Sequence, residues 1–250
     1  LPVEKILQVL GVGTAARSRG RVYKQYKTTG LIEKDQFYRL YEAEHEITGR
    51  SYLLRVHLVD RLLPKVDREA SKARYLQGYR ALVELETKVG HVPQVVGPVD
   101  AFILDDGHVV TISPADPDPT LEDLEDLEDL EDLSGGPGGG GREEAQGLGP
   151  EVRLAVIRDV ARAIQATHLA GIAHRQLCPD VVHVHLGVDD LTKVIAKVGG
   201  WDVARIGDVR MSSTRISMVT EGATFVAPEV VADDVQSWPA TDLWTLGTLA

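Results

Sequence analysis

The chain has 250 residues, 43% of them apolar and 26% charged, which is enough to bury one sizeable core or two small lobes. This composition excludes a chain that stays unfolded for lack of apolar surface. No apolar run reaches the roughly 18 residues that span a bilayer, and the N-terminal LPVEKILQ lacks the basic-then-apolar pattern of a secretion signal. The sequence therefore predicts no membrane segment.

The formal net charge of -11 is concentrated in one stretch. Residues 121–133 (LEDLEDLEDLEDL) hold eight acidic side chains and no basic one, so the rest carries only -3, the difference between -11 and -8. This balance argues against nucleic acid as the main partner. A small basic cluster is interpreted as a solvated face or linker, and it comprises Arg17, Arg19, Arg21, Lys24 and Lys27. The single cysteine, Cys178, excludes an intrachain disulfide and is compatible with a reducing, cytoplasmic location.

The first half of the chain predicts a linker followed by strands. Residues 1–30 are interpreted as an N-terminal extension or linker, with a short helix over 1–10 and then the loop GVGTAARSRGR. From Gln36, aromatic and branched residues flank the turn-forming pair Thr48-Gly49 and predict two strands. A helix is predicted over 67–88, and two more strands flank the turn at Asp106-Gly107.

Residues 121–147 interrupt this pattern with repeated LED units followed by SGGPGGGG. At a three-residue period the leucines move back by about 60° per repeat around a helix of 3.6 residues per turn, so no single apolar stripe forms. The segment is interpreted as a mostly disordered acidic and glycine-rich insertion. The alternative is a docking segment for a basic partner.

The second half predicts a helix, a loop and two short strands. Apolar side chains recur at three- and four-residue spacing in VRLAVIRDVARAIQATHLAG, and Gly171 is placed where a helix stops. After the loop HRQLCPDV, the stretch VVHVHLGVDDLTKVIAKVGGWD predicts two strands. His183 and His185 lie on one side of the first strand, and they are interpreted as ordinary strand residues because no carboxylate or cysteine stands at metal-like spacing.

Several of these sequence motifs resemble motifs of protein kinases. The loop His174-Arg175-Gln176-Leu177-Cys178-Pro179-Asp180-Val181 resembles the family's catalytic loop, H-R-D-L-K-P-x-N. The family's strand that carries the nucleotide-binding lysine is similar to TGRSYLLRVHL, and its D-F-G segment is similar to KVGGWDVAR. The A-P-E motif that closes its activation segment is matched by Ala227-Pro228-Glu229, and its motif x-[ST]-D-[VL]-W-S-L-G resembles TDLWTLG. The resemblance runs from about Phe37 to Ala250. It points to a degenerate member of the protein kinase-like superfamily in the style of bacterial Ser/Thr kinases.

The resemblance implies an α+β, two-lobed protein kinase-like fold. A small β-rich N-lobe is expected over 31–114 and a mainly helical C-lobe over 115–250. The family's large lobe continues with several helices after the one that holds Asp242, so a C-lobe truncated in this chain is expected. The stretches EHEITG and VGPVDAF are also similar to bacterial kinase-like domains attached to nuclease-related or defence proteins.

Carried over residue by residue, the resemblance implies that the chemical positions are degenerate. Gln176 stands at the catalytic base, and its amide is no base near neutral pH. Val181 and Gly200 stand at the two metal ligands, and neither side chain offers oxygen to a hard cation. Arg55 stands at the nucleotide lysine, where its bulkier planar fork is not a conservative exchange.

Two further positions bear on the same chemistry. The helix glutamate that pairs with the family's lysine corresponds to Gly78, with Glu69 and Glu84 as alternatives if the register of the helix slips. Asp202 could be a displaced metal ligand, but a shift of one residue along extended backbone turns its side chain to the opposite face, away from the cleft, unless the loop bulges there.

By contrast, the residues that match the family's structural positions, which hold the backbone and the core, are retained. Among them, Asp242 is expected to accept hydrogen bonds from the backbone of the catalytic loop. They are His174, Arg175, Pro179, Ala227, Pro228, Glu229, Asp242, Trp244 and Gly247. This contrast predicts a pseudokinase with no cofactor, no metal and weak or absent ATP binding, whose partner is another protein or another domain of the same polypeptide. The alternatives are an atypical kinase or nucleotidyl transferase rebuilt around Arg55, Asp180, Asp202 and Asp208, and a metal-independent nucleotide-sensing switch.

Overall fold

The computed structural model describes residues 20–115, 118–124, 149–187, 194–207, 225, 227–228 and 239–250. The predicted helix over 1–10, most of the acidic insertion, Asp208 and Glu229 lie outside these residues. The chain is α+β and divides into two compact units. One comprises Leu1–Leu82 and Gly97–Pro117, and the other comprises Val83–Val96 and Asp118–Ala250.

The first unit is built on a six-stranded antiparallel sheet. Its strands are β1 (Val22–Tyr23), β2 (Tyr26–Lys34), β3 (Tyr38–His45), β4 (Ser51–His57), β5 (Asp100–Ile103) and β6 (Val109–Pro114). Their order across the sheet is β1-β2-β3-β4-β6-β5. The strands predicted on both sides of Thr48-Gly49 and of Asp106-Gly107 are therefore confirmed.

The prediction of a linker over 1–30 is wrong for residues 22–30, which form β1 and most of β2. Along β2, Tyr26, Thr28 and Gly30 are buried and the residues between them are exposed. This is the two-residue period of a half-buried strand. The period was hidden in the sequence because a threonine and a glycine stand at two of the three buried positions and carry little apolar signal.

The core of the first unit lies on one face of this sheet. Its buried residues are Tyr23, Tyr26, Ala43, Leu54, Val56, Val110 and Ile112. The sheet curls around them, because Lys24 in the β1–β2 turn reaches β5, the strand at the opposite edge. The Lys24 ammonium lies 3.4 Å from the Asp100 carboxylate and 4.1 Å from the centre of the Phe102 ring. The two edges of the open sheet are thus joined by side chains.

Two helices follow β4, where the sequence predicts a single helix over 67–88. They are α1 (Lys65–Tyr75) and α2 (Gln77–Lys88), separated by the turn residue Leu76. The Leu76 N–H still donates to the Lys72 carbonyl, so the hydrogen bonding of α1 runs into the turn. The periodicity predicts helical structure here but not the break, because neither Leu76 nor its neighbours Tyr75 and Gln77 is a glycine or proline.

The second unit contains α3 (Pro150–Leu169), β7 (Ile172–Ala173), β8 (Val182–His185), β9 (Ile195–Val198), β10 (Arg205–Ile206) and α4 (Pro239–Leu249). β7 pairs with β10 and β8 pairs with β9, in both cases antiparallel. The helix predicted to stop at Gly171 and the two strands predicted after the loop are confirmed. The inner face of α3 buries Val156, Asp159, Val160, Ala163, Ile164 and Thr167.

Asp159 joins α3 to the β8–β9 ribbon. Its carboxylate is buried and accepts a hydrogen bond of 3.3 Å from the Ala196 N–H in β9, while Arg158 and Arg162 pair with its other oxygen. The two guanidinium groups neutralise the carboxylate charge, which burial would otherwise leave unpaired.

No helix within the described ranges has the length and apolarity needed to cross a membrane.

His57 is buried on the face of the sheet opposite the core. Its ring stacks on Tyr75 of α1 at 4.5 Å, and its Nε2 atom lies 3.1 Å from the Thr111 hydroxyl. Burial, followed by the positive charges of Arg55 and Arg74, lowers the pKa of His57 from 6.5 to about 4. His57 is therefore neutral in the folded chain at neutral pH.

This pKa makes stability depend on pH. Between pH 6.5 and about 4 the unfolded chain binds a proton at His57 that the folded chain does not, so the free energy of unfolding falls as the pH is lowered, by up to about 3 kcal/mol. His57→Gln keeps a partner for Thr111 but does not titrate, so it is expected to lose less stability over the same range. Urea unfolding of both chains across this range measures the difference. Parallel pH profiles would contradict the prediction.

Candidate functional site

The loop 174–181 begins at His174, directly after strand β7. The His174 side chain is fully buried, its Nε2–H donates to the Gly199 carbonyl at 2.7 Å, and its Nδ1 accepts the Gln176 N–H at 3.2 Å. Burial lowers the pKa of His174, against smaller opposing effects of the Gly199 carbonyl and of Asp242. A neutral imidazole with one donor and one acceptor nitrogen thus fixes the loop to the strand that precedes Gly199.

Asp242 at the start of α4 fixes the same loop from the other side. Its buried carboxylate accepts the His174 N–H at 2.8 Å and the Arg175 N–H at 2.7 Å. His168, in the last turn of α3, lies 2.8 Å from the same carboxylate. The predicted hydrogen bonds between Asp242 and the loop backbone are confirmed.

Arg175 takes a backbone conformation that side chains other than glycine rarely adopt, with a φ of 74°. Its guanidinium donates to the Val203 carbonyl at 3.3 Å. Burial lowers the pKa of Arg175, the neighbouring Arg205 lowers it further, and Asp242 opposes both. The side chain therefore links the loop to the segment that follows Gly200.

The structure brings Val181 and Gly200 together. Val181 ends the 3-10 turn Pro179–Val181, and Gly200 directly precedes the 3-10 turn Trp201–Val203. Gly200 has a φ of 70°, and a Cβ atom placed on it would lie 2.5 Å from Val181 Cγ1. The next residue back, Gly199, donates its N–H to the Val181 carbonyl at 2.8 Å. The Val181 methyl group thus occupies the space that a side chain at Gly200 would need.

Trp201, the residue after Gly200, is buried and contacts His174, Val96 and Val198. The Trp201 side chain is 1% exposed, and its indole N–H is shared between the carbonyls of Val96 and Val198, at 3.1 and 3.0 Å. Its ring meets the His174 ring edge-on at 4.4 Å. The hydrogen bonds of Trp201 could not be inferred from the sequence, because their acceptors are backbone atoms.

Asp202 does not lie on extended backbone. The prediction that a shift of one residue reverses its side chain applies to a strand, whereas Asp202 lies in the 3-10 turn Trp201–Val203. In such a turn successive side chains are about 120° apart, so the alternation argument does not apply. Asp202 is exposed.

The structure also describes Gln176 and Arg55, which by resemblance stand at the catalytic base and the nucleotide lysine. Gln176 is exposed in the loop, five residues before Val181. Arg55 belongs to the first unit, on β4, where its guanidinium lies 4.9 Å from the centre of the Tyr38 ring.

The glutamates proposed as helix partners of Arg55 have neighbours of their own. Glu69 pairs with Lys72 at 2.8 Å, and Glu84 pairs with Lys88 at 2.9 Å. Both are pairs within one helix, three and four residues apart. Gly78, the first-choice position, lies buried in α2.

His185 has a role that the sequence did not indicate. Its Nδ1 lies 2.8 Å from one oxygen of Asp118, and the Lys197 ammonium lies 3.1 Å from the other. This group ties the β8–β9 ribbon to a residue 67 positions earlier, a separation that no local pattern reveals.

Among the described residues, no group of three or more His, Cys, Asp or Glu side chains is arranged to hold a metal ion.

No family model matches the chain, and no curated protein matches its sequence. The resemblance to protein kinases therefore rests on the sequence motifs alone.

The contact at Gly200 predicts the effect of adding one methyl group. Gly200→Ala must adopt a left-handed conformation, at about 1–2 kcal/mol, and must also displace Val181, at about 1–3 kcal/mol more. Gly207→Ala is the matched control, because Gly207 has a φ of 60° and nothing lies within 4 Å of its added Cβ. Chemical denaturation should show a clearly larger loss for Gly200→Ala.

The double variant Val181→Ala with Gly200→Ala separates the two causes. Removing the valine methyls should recover part of the loss, since the crowding is relieved and the backbone strain is not. Equal losses for the two single glycine variants would show that Val181 does not crowd Gly200.

Cys178 is predicted to be an unreactive thiol. Burial raises the pKa of Cys178 well above its usual range, and Asp180, which accepts the S–H, raises it further. Only the thiolate reacts with alkylating agents, so iodoacetamide at neutral pH should modify Cys178 at least about tenfold more slowly than it modifies glutathione. Asp180→Asn removes the negative charge and should speed the reaction. Because the chain has one cysteine, the incorporated label reports this site alone.

Proposed function

We propose that the chain is a pseudokinase: a degenerate, two-lobed kinase-like module that acts by binding another protein or another domain of its own polypeptide. The observation that carries this proposal is the contact between Val181 and Gly200. By resemblance these residues stand where the family has its two metal-binding side chains. Here a methyl group fills the space between them, and neither side chain carries oxygen.

The losses are confined to groups that handle metal, phosphate and protons. Phosphoryl transfer depends on metal ions and a lysine to neutralise charge on the phosphates, and on a base to orient the nucleophile. Gln176 replaces the base and Arg55 replaces the lysine. In contrast, His174 and Asp242 retain the hydrogen bonds that shape the loop. Selection that maintains a scaffold while catalysis is lost leaves this combination.

The first unit supports the same proposal. Helix α1 and the first half of α2 belong to this unit and follow β4, and the strand order β1-β2-β3-β4-β6-β5 places β4, which carries Arg55, in the interior of the sheet. This is the arrangement expected of a kinase-like small lobe with one additional short strand at its edge.

Incubation with labelled ATP and Mg²⁺ or Mn²⁺ tests the proposal directly. The chain is expected to transfer neither phosphate nor nucleotide to itself or to a general protein substrate. Its Tm is expected to stay unchanged when ATP and metal are added, because only a ligand that binds the native state stabilises it. Arg55→Ala and Asp202→Ala serve as paired variants, and both should behave as the parent chain does.

Each contrary outcome has a specific meaning. Turnover that is abolished by Arg55→Ala or Asp202→Ala would overturn the proposal in favour of a kinase or nucleotidyl transferase with a rebuilt site. A rise in Tm with ATP that persists when a chelator is added, and is lost in Arg55→Ala, would overturn it in favour of a metal-independent nucleotide switch.

A further inference from the structure

We propose that the segment 198–203 is held against the loop 174–181 by its own packing, so that the surface formed there is presented in one state without nucleotide or divalent metal. This inference rests on the proposed function, since it describes how the partner-binding state of the same module is regulated. It concerns only residues of the second unit.

The segment is fixed at three consecutive residues. The Gly199 N–H donates to the Val181 carbonyl at 2.8 Å, and the Gly199 carbonyl accepts the His174 Nε2–H at 2.7 Å. Gly200 lies so close to Val181 that no side chain fits between them. Trp201 is buried, with its indole N–H satisfied by two carbonyls.

These contacts leave little for a ligand to add. A ligand shifts a conformational equilibrium only by the difference in its affinity for the two states. The acceptor of the buried His174 donor, the Gly199 carbonyl, belongs to the segment, so moving the segment away would leave this donor unsatisfied at about 1–3 kcal/mol. The Trp201 donor would lose the Val96 carbonyl and keep that of Val198, which moves with it. The closed arrangement is therefore the stable one in the chain alone.

The contact with Val181 is the part of this arrangement that can be removed without disturbing the hydrogen bonds. Val181 is half-buried, and its carbonyl, which binds the Gly199 N–H, belongs to the backbone. Val181→Ala therefore deletes the methyl groups that face Gly200 and keeps each polar partner. Val152→Ala, an equally half-buried valine in α3, is the matched control.

Hydrogen exchange of the 250-residue chain, followed by mass spectrometry, measures the opening of residues 198–203. In the parent chain their exchange rates should remain the same, within about twofold, when millimolar ATP with Mg²⁺ or Mn²⁺ is added. Val181→Ala should accelerate exchange in this segment about tenfold, corresponding to about 1.4 kcal/mol of local stability. Val152→Ala should leave it unchanged.

Two results would overturn the inference. One is slower exchange at 198–203 in the parent chain on adding ATP and metal, by about tenfold or more, which requires no variant and so cannot be attributed to misfolding. The other is an effect of Val181→Ala no larger than that of Val152→Ala. Ligand-dependent exchange without phosphate transfer would reject the constitutive state and leave the pseudokinase proposal standing, whereas phosphate transfer would reject the proposal itself.

Discussion

The carboxylate of Asp242 is the interaction on which the second unit depends. It is buried, and its two oxygens accept the N–H groups of His174 and Arg175 while His168 contacts it from α3. One side chain thus connects two helices and the loop between them. Without it, two backbone donors would be buried without acceptors, at about 1–3 kcal/mol each, in a region where Arg175 already holds a φ of 74°. The two hydrogen bonds that the carboxylate accepts thus offset the backbone strain of the loop at Arg175.

From this anchor the loop extends to a segment that is closed by packing. His174 reaches Gly199, Val181 fills the space beside Gly200, and Trp201 covers the His174 ring. Val181 and Gly200 carry no charged side chain, so the contact between them needs no cation to neutralise it.

The sequence predicted much of the fold and missed features whose cause is tertiary. Turn pairs, helix periodicity and the stop at Gly171 are local signals, and the elements they mark were found. β2 was missed because Thr28 and Gly30 stand at buried positions, where only the neighbouring strand and the core make them half of an apolar face. Extended backbone was predicted at Asp202, but residues 201–203 form a 3-10 turn, a conformation that their sequence does not signal.

What the sequence determined by itself was which chemical groups are present: an amide at Gln176, no oxygen at Val181 or Gly200, and a carboxylate at Asp242. Side-chain chemistry depends on residue identity alone, so that inventory required no coordinates. Only the tertiary structure decided which of these groups meet. The contact of Val181 with Gly200 joins residues 19 positions apart, and that of Asp242 with His174 joins residues 68 apart. Such contacts depend on how distant parts of the second unit pack together, and no local pattern contains that information.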